Sequence, residues 1–134
     1  MTAVLVDSNV LIDVACGDPR WASWSSTALA SIADESVLVI NPLIYAEVSI
    51  RYASIEALDS ALPNSLFRRE DLPYEAAYLA GKAFVTYRER GGRRRSILPD
   101  FLIGAHAAIA GYRVLTRDPK PYRSYFPSLE LISP

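Results

Sequence analysis

The stretch Val4-Leu5-Val6-Asp7-Ser8-Asn9-Val10-Leu11-Ile12-Asp13 changes character twice within ten residues. Residues 2–6 read as a short buried strand, with Ala3-Val4-Leu5-Val6 apolar throughout. Asp7-Ser8-Asn9 then offers helix-capping side chains before the apolar Val10-Leu11-Ile12. A strand that passes directly into a helix predicts an α/β unit. The helix is expected to end near Cys16, at Gly17-Asp18-Pro19.

The same alternation continues outward. A second helix is expected over 20–33 and a second buried strand over 37–40. Asn41-Pro42 supplies an N-cap and a first-turn proline for a helix expected to run past Ile50. Residues 54–62 suggest a short helix, 66–68 a short strand, and Pro73 the start of a long helix to about Arg90. Pro99 opens another helix that ends near Gly111, and residues 114–116 and 129–132 are the last strand candidates. Apolar strands alternating with helices imply a parallel sheet covered on both faces. With 134 residues, no repeat and no linker, one domain over 1–134 is expected.

Composition narrows the class. Hydrophobic residues make up 51% of the chain, enough for a packed core, and the net charge of −1 argues against a generic nucleic-acid coat protein. Twelve of the fourteen basic residues are Arg, and five of them fall between Arg88 and Arg95. Arg93, Arg94 and Arg95 are candidates for gripping phosphates, with a solvated loop as the plain alternative. Cys16 is the only cysteine, so no intrachain disulfide can form. No apolar run approaches the ~18 residues of a membrane span. Asp7 interrupts the N-terminal apolar stretch and no basic run precedes it, so no signal peptide is expected. The expected setting is the cytoplasm.

Four acids stand where a carboxylate is costly unless paired or bound to a metal. Asp7 ends the first apolar strand, and Asp118 closes Tyr112-Arg113-Val114-Leu115-Thr116-Arg117-Asp118. Glu47 shares a helical face with Leu43, Ala46 and Ile50. Asp100 opens Pro99-Asp100-Phe101-Leu102-Ile103-Gly104-Ala105, where Gly104, one turn on, is read as leaving room for a substrate or metal. Singly, each has an ordinary explanation: a cap or turn for Asp7 and Asp118, a helix-dipole partner for Asp100, a boundary residue for Glu47. Together they crowd one end of a sheet. Two carboxylates ~5 Å apart repel by roughly 3 kcal/mol at an effective dielectric near 20. A divalent cation turns that repulsion into binding, and an all-oxygen set selects Mg²⁺ or Mn²⁺. His106 lies about 240° round the helix from Asp100 and is read as a packed or surface residue.

The strand-helix opening, Leu98-Pro99-Asp100-Phe101-Leu102-Ile103-Gly104-Ala105-His106-Ala107 and Val114-Leu115-Thr116-Arg117-Asp118-Pro119 together resemble a PIN-domain ribonuclease of the VapC toxin type. The resemblance spans essentially the whole chain. It implies a three-layer α/β fold with a central parallel sheet of about five strands. It implies Mg²⁺- or Mn²⁺-dependent endonucleolytic hydrolysis of RNA by Asp7, Glu47, Asp100 and Asp118. Asp7, Asp100 and Asp118 would be metal ligands, with Glu47 handling water, and Asn9 and Thr116 would line the site. Asp13 matches the opening motif and is read as solvated or capping. A cognate VapB-like antitoxin and a homodimer are the implied partners, with Trp21, Trp24, Tyr45, Tyr52, Tyr74 and Tyr78 as candidate anchors. A catalytically inactive RNA-binding module is the alternative. A phosphohydrolase would need a second aspartate after Asp7 and a placed lysine, which Lys82 and Lys120 do not supply.

Overall fold

The computed structural model describes residues 2–134, with the side chain of Arg95 outside the described part. The first half runs β1 (Thr2–Val6), α1 (Ser8–Cys16), α2 (Ala22–Glu35), β2 (Ser36–Ile40), α3 (Pro42–Ser49), α4 (Ile55–Ala61) and β3 (Phe67–Arg69). The second half runs α5 (Tyr74–Glu89), a 3₁₀ turn (Arg95–Ile97), α6 (Leu98–Ala110), β4 (Arg113–Leu115), α7 (Lys120–Tyr125) and β5 (Leu131–Ile132). All strand pairs are parallel, in the order β3-β2-β1-β4-β5. Val4, Leu5 and Val6 are all fully buried. Successive strand residues face opposite sides, so both faces of the sheet are covered.

Local chemistry sets the boundaries. Asn41 caps α3 by accepting the Ile44 N–H, and Ser54 caps α4 by accepting the Ala57 N–H. Gly17 and Gly111 end α1 and α6 in the left-handed conformation, at φ 59° and 76°. Two expectations fail. α3 stops at Ser49 rather than passing Ile50, because the chain tightens into turns through Arg51 N–H to Val48 C=O and Tyr52 N–H to Ser49 C=O. The sequence reading also passes over α7 entirely, a six-residue helix with Pro121 in its first turn. It is too short for a periodic pattern to show.

Two apolar clusters hold the layers together. The larger joins the sheet to α1, α3 and α4 through residues such as Leu11, Ile44, Val48 and Leu58. The smaller packs Ala76 and Ala80 of α5 against Phe101 and Ala105 of α6 and Phe126 after α7. The chain leaves β1 toward β2 and leaves β4 toward β5, in opposite directions across the sheet. This divergence makes a crevice at the carboxyl ends of β1 and β4, the usual ligand position in such sheets.

Candidate metal centre at the β1–β4 crevice

Asp7 leaves β1 at that crevice. Its backbone N–H donates to Leu115 C=O at 2.9 Å, which continues the β1–β4 pairing. It stands at the N-cap of α1, yet its side chain makes no capping bond. The carboxylate turns inward instead and is 3% exposed. Oδ2 accepts from Tyr122 Oη at 2.7 Å, Thr116 Oγ1 at 2.9 Å and Asn9 Nδ2 at 3.3 Å. Burial pushes the Asp7 carboxyl above its ordinary range, against the opposing hydrogen bonds from Tyr122, Thr116, Asn9 and Ser8.

Glu47 comes from α3, which packs against α1. Ser8 Oγ donates to Glu47 Oε1 at 2.9 Å, tying the two acids' elements together. Burial raises the Glu47 carboxyl and the charge of Asp7 adds to it, while the Ser8 bond pulls the other way. Asp118 follows β4 and is exposed; its N–H donates to Thr116 Oγ1 at 3.1 Å. Thr116 thereby links the fourth acid to the first.

Asp100, in the first turn of α6, reports the combined field. Its carboxyl is pushed up to about 7, by burial first and then by the charges of Asp7, Glu47 and Asp118, with Arg94 opposing. The charges of the other three acids selected from the sequence therefore all reach Asp100. Among the described residues none of the four is in a salt bridge. Their charge and their all-oxygen chemistry fit a hard divalent cation. As the side chains stand, no three of them among the described residues form a closed metal-binding group. Nor do they line the cavity of about 250 Å³ bounded by Ile40, Asn41, Tyr45, Arg69 and Glu70.

Asn9 and Thr116 lie against Asp7, and Asn9 Oδ1 also accepts the Arg117 N–H at 3.3 Å. Arg93 and Arg94 are exposed beyond α5. His106 is packed away from the acids: Asn41 Nδ2 lies 3.0 Å from its Nδ1, and Glu70 Oε1 3.7 Å from its Nε2. Burial keeps it below the usual histidine range.

Two readings are corrected. Gly104 leaves no room for a ligand, because a Cβ there would meet Phe126 Cδ2 at 2.7 Å and Tyr122 Cδ1 at 3.2 Å. The space it makes is filled by aromatic rings. Asp13 is neither solvated nor capping with its side chain: it is 2% exposed and paired with Arg117. Sequence reasoning also missed Ser8 and Tyr122. Ser8 was legible only as a helix-start residue, and Tyr122 sat in a helix with no sequence signal.

Comparison with known proteins agrees with this geometry. The PIN domain family model matches residues 4–127. No match is found among curated proteins. A chain of VapBC2 from Rickettsia felis, bound to a DNA fragment from their promoter, superposes with a TM-score of 0.73 at 18% identity, covering 98% of each chain. VapBC-1 from nontypeable Haemophilus influenzae gives 0.73 at 17% identity, also over 98% of each chain. A toxin-antitoxin complex from Klebsiella pneumoniae gives 0.61 at 23% identity over 89% of each. At these identities the likeness is one of fold.

Proposed function

The chain belongs to the PIN-domain family, and on that premise we propose that it is a divalent-metal-dependent endoribonuclease of the VapC toxin type. The observation that carries this reading is the field at Asp100. Burial first, and then the charges of three other carboxylates brought in from the end of β1, from α3 and from the loop after β4, push it up to about 7 with no salt-bridge partner among the described residues. Like charge gathered in this way is costly, and a bound cation would relieve it without protonating the acids.

Asp7, Asp100 and Asp118 would hold the ion, Mg²⁺ or Mn²⁺. Such an ion lowers the pKa of water and neutralises charge growing on a phosphoryl group. Glu47, held at Oε1 by Ser8, keeps Oε2 for the attacking water and takes its proton. Water adds to phosphorus in line, the P–O3′ bond breaks and the departing O3′ takes a proton from solvent, leaving a 5′-phosphate and a 3′-hydroxyl. Thr116 and Asn9 orient Asp7 from behind. Arg94, whose charge reaches Asp100, and its neighbours Arg93 and Arg95 would draw RNA phosphates toward the acids.

The fold shared with VapBC complexes supports a VapB-like antitoxin as partner. Tyr74 and Tyr78, one turn apart on α5, are 92% and 70% exposed, which supports a second copy docking there. Trp24, Tyr45 and Tyr52 are half-buried, packed against the core. No helix among the described residues is long and apolar enough to cross a membrane, which accords with a cytoplasmic site of action.

The test is cleavage of a panel of structured RNAs by purified protein with Mg²⁺ or Mn²⁺, with EDTA, and by Asp7→Asn. Cleavage should need the cation and Asp7. Cutting that persists in EDTA or in the variant rejects the centre.

A further inference from the structure

The two oxygens of Asp7 are used unevenly. Oδ2 accepts from three donors: Tyr122 Oη at 2.7 Å, Thr116 Oγ1 at 2.9 Å and Asn9 Nδ2 at 3.3 Å. Oδ1 has one neighbour, Ser8 Oγ at 3.4 Å, and that single hydroxyl proton has a closer acceptor in Glu47 at 2.9 Å. A carboxylate oxygen offers about two lone pairs; on Oδ2 Tyr122 and Thr116 fill them at the short distances, Asn9 Nδ2 adds only a longer contact shared with Thr116 Oγ1, and Oδ1 is open.

Tyr122 makes the shortest of these bonds, and its position leaves it no alternative. It is 1% exposed, and its Cδ1 lies 3.2 Å from where a Cβ on Gly104 of α6 would stand. Thr116 and Asn9 come from segments that also hold each other, through Asn9 Nδ2 and Thr116 Oγ1 at 3.2 Å. Tyr122 alone comes from α7, so it braces Asp7 independently of them.

We propose that Tyr122 is a positioning residue that restricts Asp7 to one-oxygen coordination through Oδ1 and so sets the cation preference of the centre. This rests on the reading of Asp7 as a cation ligand. Mg²⁺ demands near-octahedral geometry with single-oxygen carboxylate ligation, and Mn²⁺ shares its taste for oxygen ligands, whereas Ca²⁺ readily takes both oxygens of a carboxylate. Blocking Oδ2 disfavours the larger ion. Loss of the Tyr122 hydroxyl frees Oδ2 in part and gives Ca²⁺ a second oxygen.

The test is calorimetric titration of RNA-free protein with Mn²⁺ and with Ca²⁺, for the natural sequence and for Tyr122→Phe, which keeps the ring. The natural sequence should prefer Mn²⁺, and Tyr122→Phe should narrow the Mn²⁺/Ca²⁺ affinity ratio by about tenfold, the lower end of what supporting residues are worth at metal sites. A merely structural role would weaken both ions alike and leave the ratio unchanged, which overturns the proposal. Absence of binding by the natural sequence overturns the metal reading itself and the proposal with it. Should Tyr122→Phe not fold, 3-fluorotyrosine labelling of the natural sequence decides. The ¹⁹F resonance that shows no H₂O/D₂O shift, from the buried Tyr122, should move on Mg²⁺ titration; a stationary resonance counts against Tyr122.

Discussion

Arg117 Nε lies 2.8 Å from Asp13 Oδ2 and 3.1 Å from Oδ1, a pairing that straps the segment carrying Thr116 and Asp118 to α1. Ser25 of α2 adds a bond to the same carboxylate at 3.0 Å. Removing the guanidinium leaves Asp13 buried with one hydroxyl partner. A fully buried broken pair costs about 3–5 kcal/mol, but the Arg117 side chain is 32% exposed. Arg117→Ala is therefore expected to cost about 2 kcal/mol in urea denaturation. Adding Asp13→Leu should recover part of that loss; a double variant weaker than the single one would contradict the pairing's role.

Asp100 carries the clearest pH signature. Its value rises from 3.8 unfolded to about 7 folded. A carboxyl raised on folding holds its proton more tightly in the folded state. Its contribution is fully present below the unfolded value and is lost as pH climbs through the folded one. In EDTA, the stability advantage of Asp100→Asn over the natural sequence should thus grow from about pH 4 to about pH 7 and then level off. The full shift corresponds to roughly 4 kcal/mol; partial exposure reduces the expected gain to about 1–3 kcal/mol. Saturating Mn²⁺ should stabilise the natural sequence and not the variant. A gain that shrinks with rising pH would show the wrong sign.

Gly104 sits mid-helix, where alanine would ordinarily add about 1 kcal/mol. Here the new methyl would push into Phe126 and Tyr122. Overpacking of this kind costs about 1–3 kcal/mol, so Gly104→Ala should come out destabilised by up to about 2 kcal/mol. Because Tyr122 must shift, cation binding should weaken as well. A stabilised Gly104→Ala protein with unchanged Mn²⁺ affinity would rule out tight packing at this position.

The arginine loop makes a prediction about salt. Replacing Arg93, Arg94 and Arg95 with Ala should weaken binding of RNA measured in EDTA. The slope of log affinity against log salt should flatten by about one unit for each phosphate that is no longer neutralised. An unchanged slope would leave the loop without a role in RNA binding.

Much of this molecule follows from local pattern. Apolar runs of strand length, caps such as Asn41 and Ser54, and left-handed glycines at helix ends act over a few residues, so they survive in the linear chain. The four acids were legible for the same reason: each interrupts a stretch that otherwise reads as buried. What the chain could not reveal depends on which strands become neighbours. Tyr122 meets Asp7 across 115 positions and Arg117 meets Asp13 across 104, and both meetings require β4 to lie beside β1. Burial of Asp13 is invisible locally because its partner comes from the far side of that pairing. The room beside Gly104 looked like space for a ligand until α7, too short to announce itself, laid two rings across it. The four acids stood out in the sequence because each interrupts an apolar stretch where charge is costly; the oxygen of Asp7 left open is set by packing between segments that the sequence keeps far apart.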